Sequence, residues 1–194
     1  MMQRLATLLS VSVLVLLVAN PAEANRRALF KSPRAFMGAG CEAGSVVVAG
    51  DNSESVSVLF GKYDAGRSSR SGTLRTHCEF SLPISVPPGQ RLSLLTAEWQ
   101  GYVKGRGGFS RRYSAVGPRQ RPWRVDRYQS REGMNYLQRD DMYPREVNAD
   151  CKGGEFNLRI NSEIIAAGND SYIAVDTVDL HNQVVFRLNW VPCQ

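Results

Sequence analysis

Apolar and polar residues alternate along several segments of the chain with the period of two that is typical of β-strands. The clearest run has polar residues on one face and an apolar face made of Cys78, Phe80, Leu82, Ile84 and Val86. Pro83 lies within this run and predicts an edge strand or a bulge, because proline has no amide proton for a ladder hydrogen bond. A turn at Pro87-Pro88-Gly89 follows.

Further strand patterns lie on both sides of this run, at 45–49, 56–60, 92–104, 156–160, 172–178 and 184–190. The chain has no convincing long amphipathic helix; a short helix at 125–137 is a weak candidate because Gly133 interrupts it. We therefore predict an all-β fold, a single antiparallel β-sandwich of roughly eight strands.

The amino end has the three-part pattern of a secretory signal peptide. Residues 1–4 carry one positive charge, residues 5–18 are an apolar run, and Ala22-Glu23-Ala24 has small residues where a signal peptidase cleaves. We predict that residues 1–24 are removed and that the protein is secreted or periplasmic. An uncleaved anchor is the alternative, but the apolar run is shorter than the about 20 residues of a transmembrane span.

Residues 25–40 are basic and without periodicity, which predicts a flexible leader before a β-sandwich domain at 41–194. Between the two β-rich halves of that domain, we predict an insertion at about 105–150 that is rich in Arg and aromatic residues. Gly107 and Gly108 are expected to turn a hairpin at its start.

The positive charge of the chain is concentrated in this insertion. The whole chain has 24 Lys+Arg against 18 Asp+Glu, and 20 of the basic residues are Arg. Segment 104–145 alone has 11 basic and four acidic residues, a net charge of +7, whereas the chain carries +6. Aromatic residues are interleaved with these charges, namely Phe109, Tyr113, Trp123, Tyr128, Tyr136 and Tyr143.

This composition predicts a site for an anionic ligand. The planar guanidinium of Arg binds phosphate, sulfate or carboxylate with two hydrogen bonds, and Trp and Tyr provide stacking surfaces for sugars or bases. The candidate ligands are an acidic polysaccharide, lipopolysaccharide or another polyanion, and the candidate residues are Arg119, Arg121, Trp123, Arg124, Arg127 and Tyr128. The alternative is a solvated insertion whose charges pair locally with Asp126, Glu132, Asp140 and Asp141.

The sequence offers little for catalysis. It has no nucleophile elbow, no zinc-protease motif and no P-loop, and neither His77 nor His181 has an evident partner. Paired carboxylates at 140–141, or at 176 and 179, would be needed for a hydrolase. We predict a non-enzymatic protein without a cofactor or metal. A structural envelope or matrix component that self-associates through sheet edges is the second hypothesis, and a carboxylate-dependent hydrolase is the third.

Four cysteines in an exported chain predict two disulfides. Cys41, Cys78, Cys151 and Cys193 allow three connectivities, and the absence of a C-x-x-C pair argues against a zinc or redox site. We favour the sequential pairing of Cys41 with Cys78 and of Cys151 with Cys193. Each disulfide would close a loop of about 40 residues and contribute roughly 4 kcal/mol in the chain-entropy description.

Several motifs resemble the secreted domain-of-unknown-function family 4360, which occurs in exported bacterial and fungal proteins. They are Gly40-Cys41 followed by Gly44-Ser45-Val46, the strand at 78–82 that runs into 86–89, the stretch 98–103, and 186–190 with Cys193. The resemblance implies a small β-sandwich with two disulfides and supports the sequential pairing. It supplies no catalytic or binding residues, and the Arg-rich stretch 119–145 departs from the Ser/Thr-rich texture expected there.

Overall fold

The computed structural model describes residues 27–66, 68–69, 73–115, 122–143, 151–175 and 184–193. The predicted signal peptide lies outside these residues. The described chain contains no α-helix and one short 3-10 helix, Ala39–Cys41. Its strands are β1 (Leu29–Phe30), β2 (Arg34–Met37), β3 (Val46–Ala49), β4 (Ser55–Phe60), β5 (Asp64–Gly66), β6 (Arg75–Val86), β7 (Gln90–Ala115), β8 (Arg124–Met142), β9 (Gly154–Ala166), β10 (Tyr172–Val175) and β11 (Val184–Pro192).

These strands form one continuous antiparallel sheet, which confirms the all-β prediction. The main strand order is β1-β6-β9-β7-β11-β4-β3, with β2, β5, β8 and β10 paired off this path. The predicted sandwich of about eight strands is not confirmed: the described residues form a sheet of 11 strands that curls like a half-barrel.

Strand β7 has 26 residues and pairs with four other strands along its length. One edge of β7 pairs in succession with β11, β10 and β9, while the other edge pairs with β8. Strand β7 therefore connects the β11 side of the curled sheet to the β9 side. The sequence pattern ended this strand at 104 and placed 109–116 in a separate hairpin arm, because the Gly- and Arg-rich continuation of β7 lacks a simple apolar alternation.

The curled sheet encloses an aromatic core. The fully buried ring of Phe186 on β11 packs edge-on against Phe80 of β6 and Trp99 of β7, with ring centroids 6.0 and 6.2 Å apart. Edge-to-face pairs of this kind add specific attraction to the burial of apolar area. The apolar face predicted for the Cys78–Val86 run is buried in this core, as the alternating burial of β6 requires.

Both predicted disulfides are present in the sequential pairing. Cys41 and Cys78 join the 3-10 helix to β6, with their Cα atoms 5.4 Å apart, and both cysteines are buried. Cys151 and Cys193 join the residues just before β9 to the end of β11, with their Cα atoms 5.9 Å apart; Cys151 is exposed and Cys193 is half-buried.

The described part of the predicted flexible leader, 27–40, is instead part of the sheet. Strands β1 and β2 both pair with β6, and the side chain of Phe30 is fully buried. The ring of Phe36 stacks on Phe80 at 5.2 Å. The prediction was wrong because these strands have only two and four residues, too few to give a visible period.

The predicted helix at 125–137 and the turn at Gly107-Gly108 are also wrong. Strand β7 passes through both glycines, and the supposed helix is part of β8. The region predicted as an insertion thus contributes two long strands to the sheet. Pro83 is not on an edge either, because β6 has β9 on one side and β1 and β2 on the other; its carbonyl accepts a hydrogen bond from the amide of Lys31 between those short strands.

Candidate functional site

Strands β7 and β8 form a long hairpin that bends in its middle. The ladder is irregular between Val103 and Gly105, opposite the segment 130–134 of β8. Gly133 has a φ of 102°, and a Cβ there would overlap the side chain of Tyr102. The bend brings together side chains from both halves of β8, since the rings of Tyr128 and Tyr136 stack at 4.6 Å.

The inward face of this hairpin holds a buried group of ions. The guanidinium of Arg111 donates to both carboxylate oxygens of Asp140, one of them at 2.8 Å, and also to Asp126. The hydroxyl of Tyr113 donates to Asp140 at 2.7 Å and accepts a hydrogen bond from the indole of Trp99 at 2.6 Å. We call Arg111, Asp126, Asp140 and Tyr113 the Arg111 cluster; in it, Arg111 is 1% exposed.

Burial and neighbouring charges shift the pKa values of Arg111 and Tyr113 in this cluster. Burial alone would lower the pKa of Arg111, but the hydrogen bonds and charges of Asp140 and Asp126 outweigh it and raise that pKa. Burial, together with the charge of Asp140, raises the pKa of the Tyr113 hydroxyl well above its usual value. The cluster therefore combines a permanent cation with a neutral phenol, and it has the completed hydrogen bonds of a structural core.

The other face of the hairpin points to solvent. Positions that alternate with the buried ones are Arg106, Gly108, Ser110 and Arg112 on β7, and Val125, Arg127 and Gln129 on β8. The guanidinium of Arg112 lies 4.7 Å from the ring centroid of Trp123, just before β8, and Trp123 is 45% exposed. We call these seven residues and Trp123 the outward face.

Two arginines of the outward face have no acidic partner within the described residues. Arg106 and Arg127 make no ion pair there, although β8 and β9 both carry carboxylates nearby. Other exposed arginines of the same sheet are paired: Arg75 lies 3.6 Å from Glu163, and Arg159 lies 3.3 Å from Glu79. Positive charge on this part of the sheet is thus left uncompensated at Arg106 and Arg127.

The structure separates the residues predicted to bind an anion. Arg119 and Arg121 lie outside the described residues. Trp123 and Arg127 are on the outward face, whereas Arg124 and Tyr128 point inward. Arg124 contacts the carboxylate of Asp140 at 3.4 Å and donates to the carbonyl of Asp141 at 3.1 Å, so local pairing describes this arginine well. Tyr128 is half-buried, and burial raises its pKa.

Sequence reasoning missed Arg106 and Arg112 as companions of Arg127 and Trp123. The signal that could have found them is the alternation of inward and outward positions along 106–112, where every second residue is buried. That signal was hidden because one of the buried residues is Arg111, and an arginine is rarely buried without charged partners.

The carboxylate pair at 140–141 does not form a hydrolytic site. Adjacent residues of a strand point to opposite faces, so Asp140 is buried in the Arg111 cluster while Asp141 is on the other side. There, Asp141 accepts a hydrogen bond from Thr96 at 2.8 Å, and this bond, the interaction with Arg139 and the charge of Arg124 lower its pKa although partial burial opposes them. The pair at 176 and 179 lies outside the described residues.

A second polar feature lies where β4, β7, β8 and β11 meet. It is a surface cleft of about 260 Å³ in which Glu98 binds both Arg139 and Arg187. Arg139 and Arg187 are therefore compensated, unlike Arg106 and Arg127 of the outward face. Within the described residues, no group of three or more His, Cys, Asp or Glu side chains could hold a metal ion, and no helix is long and apolar enough to span a membrane.

Comparison with known proteins gives one assignment. No curated protein matches the chain. A solved structure of TmCBM61 in complex with β-1,4-galactotriose aligns with 80% of this chain and 88% of its own, at 13% identity and a TM-score of 0.34, too low to establish a common fold. The sequence profile of a domain of unknown function, DUF4360, matches residues 33–193. Because this match covers most of the sequence, the chain belongs to the DUF4360 family.

Proposed function

We propose that the protein is an exported, non-enzymatic binding protein that holds an anionic extracellular or cell-surface ligand on the outward face. One observation carries this proposal: Arg106 and Arg127 are exposed on the same face, and neither has an acidic partner in the described part of the chain. The neighbouring pair of Arg112 and Trp123 adds a third guanidinium and an exposed ring.

The physical reason lies in the difference between paired and unpaired cations. A guanidinium that is already bonded to a carboxylate must give up that partner before it can bind another anion. Arg106 and Arg127 need not do so, and their planar donor groups suit carboxylate, sulfate or phosphate. Both arginines project from hydrogen-bonded strands, which fix their backbone positions and limit the entropy lost on binding.

Export is supported by the amino-terminal pattern and by two disulfides, which persist mainly in oxidising compartments. The extracytoplasmic polyanions named above are therefore the ligands that we consider.

The self-association hypothesis receives less support. Strand β8 pairs only with β7 within the described residues, so its second edge is open there. That edge is interrupted at the bend and carries charged side chains such as Arg127, Arg131 and Arg139. Bulges and charges are the features by which natural sheets prevent edge-to-edge pairing.

We expect the double variant R106Q/R127Q to elute from an anionic matrix such as heparin at a clearly lower salt concentration than the parent protein. Each cation that displaces a counterion of a polyelectrolyte contributes about 0.7–0.9 to the slope of log affinity against log salt, so this slope should fall by about 1.5.

The matched control is R27Q/R34Q, which removes the same charge from exposed arginines that pair with Glu54 and Glu155, away from the outward face. This control should elute close to the parent protein. If both double variants lost retention equally, only net charge would matter and the proposed face would be wrong.

A further inference from the structure

The outward face contains a trough that follows β7. Gly108 and Ser110 are the middle residues of its exposed row, and both are small. The register places Gly108 between Arg127 of β8 and Ile165 of β9, and it places Ser110 between Val125 and Glu163. A low row therefore runs between two rows of longer side chains.

The dimensions of the trough follow from sheet geometry. Its walls belong to the strands on either side of β7, so they stand about 10 Å apart, twice the usual strand spacing. Its length from Arg106 to Arg112 is about 20 Å at the usual rise per residue. A floor of small residues, a gap of about 10 Å between the walls and a length of about 20 Å suit one extended polymer chain.

We propose that this trough binds a single strand of an acidic polysaccharide. The inference rests on the proposed function and specifies the class of ligand and the part of the outward face that binds it. The exposed ring of Trp123, at the Arg112 end, stacks on the apolar face of a sugar ring. Arg127 in the wall and Arg106 at the far end bind carboxylate or sulfate groups carried by the sugars, and the hydroxyl of Ser110 exchanges hydrogen bonds with sugar hydroxyls.

Charge complementarity favours a polysaccharide over an anionic membrane. The wall on the β9 side contains Glu163, and Glu79 lies on the adjacent strand β6. Each of these carboxylates has one arginine beside it, Arg75 at Glu163 and Arg159 at Glu79. A continuous layer of headgroups would place phosphates against these carboxylates. A sugar chain with spaced acidic groups can place its charges at Arg127 and Arg106 and its hydroxyls near Glu163. A membrane would also meet few exposed large apolar side chains on this face, chiefly Trp123 and Val125.

The test fills the trough without changing its charge. A Cβ added at Gly108 meets only the carbonyl oxygen of Asp126, at 3.8 Å, so the variant G108L retains room for its backbone and places a side chain in the trough. S110L is a second filling variant at the next outward position. S57L, on the solvent-facing side of β4, is the matched control for an added exposed leucine.

Binding to polygalacturonate and dextran sulfate is measured by calorimetry, with melting temperature as the check on folding. We expect G108L and S110L to lose at least about tenfold in affinity, as a steric clash in a binding site does, while S57L binds like the parent protein.

If the parent protein bound with salt sensitivity but both filling variants bound equally well, the trough would be refuted and the proposed function would stand. If the parent protein bound vesicles that contain phosphatidylglycerol and neither polysaccharide, the ligand class would be wrong. If the parent protein bound none of these anionic probes, both the trough and the proposed function would fail.

Discussion

The variant R111M is expected to lose about 3–5 kcal/mol of unfolding free energy, because it leaves the buried carboxylate of Asp140 without its principal cation. Methionine fills much of the volume of arginine, so a missing charge rather than a cavity should dominate the loss. Tyr113 would still donate one hydrogen bond to Asp140, and Arg124 would stay 3.4 Å away, which is weaker compensation. Urea unfolding at neutral pH measures the difference.

Two comparisons identify the origin of that loss. R75M removes an arginine that is paired but exposed, and it should change stability by less than about 1 kcal/mol. The double variant R111M/D140L removes both buried charges and should recover a substantial part of the stability lost in R111M, because apolar replacement of a whole buried pair is often neutral. A double variant less stable than R111M would contradict this account of the cluster.

Removal of either disulfide is expected to lower the unfolding free energy by about 4 kcal/mol in the chain-entropy description. The two crosslinks span nearly equal stretches, 37 and 42 residues, so their effects on the unfolded chain should be similar. Their surroundings differ, since Cys41 and Cys78 are fully buried, whereas Cys151 is exposed and Cys193 is only half-buried. C41A/C78A should therefore lose more than C151A/C193A, by the packing of the deleted sulfur atoms.

Denaturant unfolding of both double alanine variants measures this difference. Equal losses would mean that packing around the buried disulfide contributes nothing beyond the crosslink. A loss below about 1 kcal/mol for C151A/C193A would contradict the crosslink argument itself.

The sequence predicted well those strands in which one face is uniformly apolar. The β6 segment shows this, because Phe80, Leu82 and Ile84 all enter the core. The prediction failed where a polar residue takes an inward position. Arg111 on β7 and Asp140 on β8 are buried only because they neutralise each other across the folded hairpin, and that contact depends on a bend that local patterns do not reveal.

The same failure limited the candidate site. Composition identified an Arg-rich segment, but it could not divide its arginines into inward and outward ones. Once β7 and β8 are known to be strands, the alternation of side chains between the two faces of the sheet separates these arginines. Arg124 lies on the inward face with Asp140, whereas Arg127 and Arg106 lie on the outward face. Register across β9 then adds Gly108 and Ser110, which no charge pattern would select.

The central claim is that an anionic ligand binds the outward face of the β7–β8 hairpin. Its most direct test is a titration of the ¹⁵N-labelled protein with polygalacturonate oligomers, followed by amide chemical shifts. We predict that the largest changes fall at 106–112 and 123–129 and involve the indole NH of Trp123, and that they weaken as salt is added. Changes centred instead on the cleft around Glu98, Arg139 and Arg187, with the hairpin face unaffected, would contradict the account.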